Sequence, residues 1–131
     1  TQEYTKVRTD SGAPPILVID DEASLLSLLE KCLTKYGFNV DPAESGEKGI
    51  QKLDMNQYSL ILTDIKMPGI SGRQVLNYVK ANKGNSVPVV GMSGTPWLLE
   101  DTEFDAVLAK PFPIQKVVGM ITSLLKDKPS V

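Results

Sequence analysis

The sequence predicts an α/β protein, a three-layer sandwich with helices on both faces of a five-stranded parallel sheet. Two observations carry this prediction. Short apolar runs of strand length alternate five times with amphipathic stretches of helical period. Turn-forming Gly, Pro and Asn residues separate them, leaving room for right-handed crossovers between parallel strands.

The elements follow in order. "PPILVID" (14–20) reads as a buried strand. "EASLLSLLEKCLTKYG" (22–37) reads as a helix with Leu25, Leu28, Leu29, Cys32 and Leu33 on one face, stopped at Gly37. "FNVDP" (38–42) is a short strand, and Pro42 assigns it to a sheet edge because proline cannot donate to a ladder. "SGEKGIQKLDMN" (45–56) is a helix with a weak middle at Gly49, and "YSLILTD" (58–64) is the third strand. "SGRQVLNYVKANKG" (71–84) is a helix with Val75, Leu76 and Val79 inward, and "VPVVGMSG" (87–94) is a strand. Thr95 and Pro96 suit a helix start. "AVLAK" (106–110) and "PIQKVVGMITSLLKDK" (113–128) are the last strand and helix. Residues 1–13 are expected to form a flexible tail, 14–127 one domain, and 128–131 a tail or linker stub.

The 131 residues suffice for one domain with a real core. A net charge of −2 gives no electrostatic footprint for nucleic acid. No apolar run approaches a membrane span, and the polar start "TQEYTKVRTDSGAPP" lacks a signal-peptide pattern. Cys32 is the single cysteine; it is expected to be a buried apolar thiol in a reducing, cytoplasmic setting. The chain has no histidine. That excludes His-based zinc sites, Ser-His-Asp and Cys-His catalysis, and a phosphohistidine on this chain. Chemistry here must run on carboxylates, hydroxyls and lysine, with or without a metal.

Ligands of open parallel sheets bind outside the carboxyl ends of the strands. Those ends carry Asp20-Asp21, Asp64, Ser93-Gly94 and Lys110-Pro111. Each has an ordinary explanation by itself. The Asp pair can cap the next helix, Ser93 can serve a turn, and Lys110 can be a solvated charge. Together on one rim they point to a site. Three neighbouring carboxylates raise one another's pKa unless a hard divalent cation with oxygen ligands relieves the repulsion. A carboxylate is also a nucleophile toward phosphorus, giving an aspartyl phosphate. The transferred group then needs positive charge and hydrogen-bond donors on its oxygens, which Mg²⁺, Lys110 and Ser93 supply.

The segments "VIDDE", "LILTDIKMPGISG", "VVGMSG" and "AKPF" resemble, in order and spacing, the motifs of response-regulator receiver domains of two-component phosphorelays, chemotaxis receivers among them, over residues 14–127. The resemblance implies a flavodoxin-like sheet of order 2-1-3-4-5. It implies Asp64 as phosphoacceptor, with a cis peptide bond between Lys110 and Pro111. Asp21 would ligate Mg²⁺ directly, Asp20 directly or through water, and Asp64 and the Lys66 backbone carbonyl would complete the protein ligands. Ser93 would bind the phosphoryl group as the switch hydroxyl, and Lys110 would pair with a phosphoryl oxygen. Asp64 is thus expected to be exposed at the sheet mouth.

Two departures from that family stand out. Val107 occupies the position where a switch tyrosine or phenylalanine is usual, and Phe104 is nearby but out of register. Only residues 94–105 separate Ser93 from the next strand, so the fourth helix is expected to be shortened. The run Trp97, Leu98 and Leu99 is either a core plug replacing lost helix or a partner-binding patch. With Val107 it marks the expected switch surface, since a valine flip moves little volume.

The resemblance implies a signal-receiving domain, not an enzyme beyond self-phosphorylation and self-dephosphorylation. Its partners would be a histidine kinase or phosphotransfer protein and an unknown downstream protein, with homodimerisation possible and no nucleic acid or membrane bound. Three readings compete. A haloacid-dehalogenase-like phosphatase needs a second Asp where Lys66 stands. A flavodoxin needs a phosphate loop where Asp20, Asp21 and Glu22 would repel phosphate. A docking module that has lost phosphorylation would not need the acidic cluster, but Val107 at the switch position leaves that reading open.

Overall fold

The computed structural model describes residues 13–98 and 103–126. Residues 1–12 of the expected tail 1–13, the expected tail 128–131 and Leu99 lie outside the described residues, and of Leu98 only the backbone is described. Strands β1 (Ile16–Ile19), β2 (Val40–Ala43), β3 (Leu60–Asp64), β4 (Val89–Ser93) and β5 (Ala106–Ala109) form one sheet. All pairs are parallel and the order is β2-β1-β3-β4-β5. The helices are α1 (Ala23–Lys35), α2 (Gly46–Met55), α3 (Gly72–Lys83) and α4 (Ile114–Lys126). The predicted fold class and strand order are thus observed, and Pro42 lies on the edge strand β2.

Strand alternation sorts the core into two layers. Ile16, Val18, Leu60, Leu62, Val90, Met92 and Leu108 face α1 and α4, where Leu26, Leu29, Leu33, Val117 and Ile121 meet them. Leu17, Ile19, Ile61 and Val89 face the other way, onto Leu53 of α2 and Val75, Leu76 and Val79 of α3. The side chain of Gly49 would have no room: a Cβ there lies 2.4 Å from Ile19 Cδ1. The glycine that weakens α2 as a helix therefore lets it sit close on β1.

The buried stripe of α1 differs from the expected one. Leu26, Leu29 and Leu33 are buried, Leu25 and Cys32 are half-buried, and Leu28 is 55% exposed. The stripe is rotated by about one residue, which leaves Leu28 in solvent and Cys32 at the margin. The helix ends as predicted at Gly37, whose φ of +93° closes a Schellman motif. Its hydrogen bonds run from Phe38 N to Leu33 O and from Gly37 N to Thr34 O.

Between β4 and β5 a 3₁₀ turn, Pro96–Leu98, starts where Thr95 and Pro96 predict a helix start. Trp97 is 68% exposed, so it is no core plug. Phe104 is buried instead, packed against Gly91, where a Cβ would lie 3.3 Å from its ring. Gly91 is the register partner of Val107, so the ring covers the stretch of β4 beside that valine.

The edge strand is clipped by side chains. Asp41 of β2 accepts from Lys52 Nζ at 2.7 Å and from the Tyr58 hydroxyl at 2.5 Å. Burial first, then this bond to Asp41, raises the Tyr58 pKa above its ordinary value.

Candidate functional site

The carboxyl ends of β1, β3, β4 and β5 meet at one rim. Ile19 pairs with Thr63, so one residue further Asp20 and Asp64 lie side by side. Both continue the alternation that faces α1, as does Lys110 after Leu108. The three side chains consequently converge: Lys110 Nζ lies 3.1 Å from Asp20 Oδ2 and 3.4 Å from Asp64 Oδ1. Strand alternation on β1, β3 and β5 alone builds this triangle. The peptide bond between Lys110 and Pro111 is cis, as expected.

Asp20 is fully buried, and both its oxygens are engaged. Oδ1 accepts from Glu22 N at 2.8 Å, which turns the chain into α1, and Oδ2 accepts from Lys110. Asp21 is exposed, and its carboxylate has no hydrogen bond or ion pair among the described residues. Carboxylate oxygens of Asp20, Asp21 and Asp64 lie within 4.8 Å of one another, a grouping that can hold a metal ion. An all-oxygen donor set with one free carboxylate suits a hard divalent cation. The Lys66 carbonyl likewise accepts no hydrogen bond among the described residues.

Asp64 is more enclosed than the sequence implies; only 8% of the residue is exposed. Burial, then the Asp20 charge, pushes its pKa from 3.8 up to about 6, with Lys110 opposing the rise and Asp21 adding to it. Burial lowers the Lys110 pKa, but Asp20 and Asp64 outweigh it and the net direction is up. A carboxyl that titrates higher in the folded chain holds its proton more tightly there than in the unfolded chain. The metal-free protein is therefore expected to lose stability as pH rises from about 4 to about 6, and then to level off. The loss is on the order of 2–3 kcal/mol from this group. Denaturant titration in chelator across that range checks it, and the slope should be smaller in Asp64→Asn by this group's share.

Ser93 is buried next to the triangle, on the opposite alternation. Its Oγ accepts from Thr95 N at 3.0 Å, which leaves the hydroxyl proton to donate elsewhere. Its carbonyl accepts from Lys110 N at 2.8 Å, tying β4 to β5 at the site.

Sequence reasoning gave no role to Gly72, the first residue of α3. A Cβ there would lie 2.3 Å from the Asp64 carbonyl oxygen and 2.7 Å from Ile65 Cα. Only glycine lets α3 approach the backbone that carries Asp64. The approach is fixed by Gly72 N donating to Ile65 O at 2.9 Å and by a capping box between Ser71 and Gln74. The sequence signal was present in "SGRQ", which has the serine and glutamine of such a box at the right spacing.

Trp97 stands exposed just after Ser93, whereas Val107 is half-buried against the α2–α3 layer.

The family profile described as "Response regulator receiver domain" matches residues 16–122. Response regulator ArlR of Staphylococcus aureus is 27% identical over 117 residues, covering 87% of this chain and 53% of its own length. The chain thus spans about half the length of the curated relatives it matches. Among solved structures, response regulator protein TrrA from Thermotoga maritima, in complex with Mg²⁺-BeF, is 29% identical with a TM-score of 0.78. That similarity covers 85% of this chain and 98% of TrrA. A response regulator receiver domain protein from Clostridium thermocellum is 27% identical with a TM-score of 0.74, covering 88% and 96%.

Proposed function

The chain belongs to the response regulator receiver domain family, and from that premise we propose that it accepts a phosphoryl group on Asp64 from a histidine kinase or phosphotransfer protein. The observation that carries this is the triangle of Asp20, Asp64 and Lys110 beside the free carboxylate of Asp21. An Asp64 carboxylate oxygen attacks phosphorus, the bond from phosphorus to the donor atom breaks, and its electron pair leaves with the donor. Lys110 releases Asp64 and takes a phosphoryl oxygen, while the Ser93 hydroxyl donates to another.

Asp21, Asp64 and the Lys66 carbonyl would hold Mg²⁺, the ion bound with BeF in the TrrA structure, with Asp20 acting through water because both its oxygens are already engaged. When bound, Mg²⁺ supplies positive charge to the carboxylates and to the phosphoryl oxygens. The outcome is altered binding of a downstream partner, with the turn after Ser93 as the responsive surface because Val107 offers no ring to swing. No helix among the described residues is long and apolar enough to cross a membrane; the cytoplasmic location belongs to the proposal through the phosphorelay partners it names.

Incubation with acetyl phosphate and Mg²⁺ tests the proposal: the intact mass should rise by one phosphoryl group. An unchanged mass favours the docking-module reading. Lys110→Ala is expected to retain Mg²⁺ binding but to slow uptake by roughly tenfold or more, since a point charge on the transferring group is lost. Calorimetry and mass kinetics on that variant separate the two effects. A loss of Mg²⁺ affinity as large as that caused by removing Asp21 would contradict the role.

A further inference from the structure

The turn between β3 and α3, which carries the Lys66 carbonyl, is held in part by a helix outside it. Its two ends are fixed locally. Ile65 N donates to Met92 O at 3.0 Å, Gly72 N donates to Ile65 O at 2.9 Å, and Ser71 N donates to Gln74 Oε1 at 2.9 Å. The crown, Pro68 to Ile70, meets the first turn of α2 instead. Gly46 lies so close to Ile70 that a Cβ would sit 2.5 Å from the Ile70 carbonyl oxygen. Glu47 follows, and its Oε2 accepts from Ile70 N at 3.4 Å. Gly69 has a φ of +74°, and a Cβ there would lie 2.5 Å from the same Oε2. A glycine at this backbone conformation lets the carboxylate pass residue 69 and reach the next amide. Glu47 is exposed and makes no ion pair among the described residues. A carboxylate in the first turn of a helix is favoured by the dipole alone. Here it also closes a contact 23 positions along the chain.

Resting on the reading above that the Lys66 carbonyl is a metal ligand, we infer that Glu47 is a positioning residue, whose carboxylate clasps the crown of the β3–α3 turn and so fixes that carbonyl for Mg²⁺. A carbonyl carries no net charge to draw it onto the ion, so its contribution depends on where the backbone holds it. With the crown released, the peptide after Lys66 gains freedom, and Mg²⁺ must order it again on binding. The clasp works through reach and an acceptor oxygen rather than through charge. Linkage makes it reciprocal: whatever factor the clasp adds to Mg²⁺ affinity, Mg²⁺ adds to closure of the clasp. The first turn of α2 thereby responds to metal occupancy.

The test combines calorimetric Mg²⁺ titration of the full chain with amide hydrogen exchange at Ile70; neither needs a phosphodonor. Glu47→Ala is expected to weaken Mg²⁺ binding by roughly tenfold, the low end for loss of a group that orients a ligand. Exchange at Ile70 should quicken in that variant without metal, and Mg²⁺ should slow it in the unaltered chain. Glu47→Asp keeps the charge but is one methylene shorter, and should lose as much affinity as Glu47→Ala. Glu47→Gln keeps the reach and an acceptor oxygen, and should stay within about twofold of the unaltered chain, a neutral acceptor being only modestly weaker. Affinity unmoved by Glu47→Ala overturns the clasp. So does a loss in Glu47→Gln as large as in Glu47→Ala, which marks a charge acting on the ion through space. Both results leave Asp64 and the metal ligands intact. Failure of the unaltered chain to bind Mg²⁺ removes the underlying reading and the clasp with it.

Discussion

Asp64→Asn is expected to take up no phosphate from any donor, because an amide does not supply the anionic oxygen that attacks phosphorus. The same substitution should make the metal-free protein more stable at about pH 7 to 8, by on the order of 2 kcal/mol. It removes a charge that burial and Asp20 disfavour. Loss of uptake with a gain in stability is a pairing that misfolding cannot mimic. Intact mass after exposure to donor and Mg²⁺, with a parallel urea titration in chelator, measures both. Phosphate uptake at the unaltered rate would show that the acceptor is another residue.

Asp21→Ala is expected to weaken Mg²⁺ binding by roughly ten- to a hundredfold, more than Asp64→Asn does. Asp21 is the member of the acidic group with no protein partner to satisfy, so its charge is fully available to an ion. Asp20 already spends its oxygens on Glu22 N and Lys110. Calorimetric titration with Mg²⁺ reads the difference directly. Equal affinity in the Asp21 variant and the unaltered chain would remove it from the ligand set.

The strands were legible because "ILVI", "LILT" and "VVGM" are apolar at consecutive positions, and only a sheet covered on both faces buries such runs. The rim residues were legible for the same reason: a charged or hydroxyl residue that ends a buried run must emerge at the strand's carboxyl end. The face of α1 was not. "LLSLL" offers two adjacent stripes, and only the placement of α1 against the sheet selects Leu26 and Leu29 over Leu28. The clip of Asp41, Lys52 and Tyr58 joins residues 11 and 17 positions apart, which no local pattern reveals. The enclosure of Asp64 was missed because its side chain packs against Lys110, which is distant in sequence. Phe104 was set aside as out of register, and the structure gives it a packing role over Gly91 that depends on the absence of a side chain there.

Acceptance of a phosphoryl group by Asp64 is tested most directly by locating the modification. The unaltered chain is incubated with acetyl phosphate and Mg²⁺, reduced with borohydride to convert an acyl phosphate to an alcohol, digested and mapped by mass spectrometry. The expected result is conversion of the single residue Asp64, lost when Mg²⁺ is chelated. Conversion of Asp20 or Asp21 with Asp64 untouched, or modification indifferent to Mg²⁺, would contradict it.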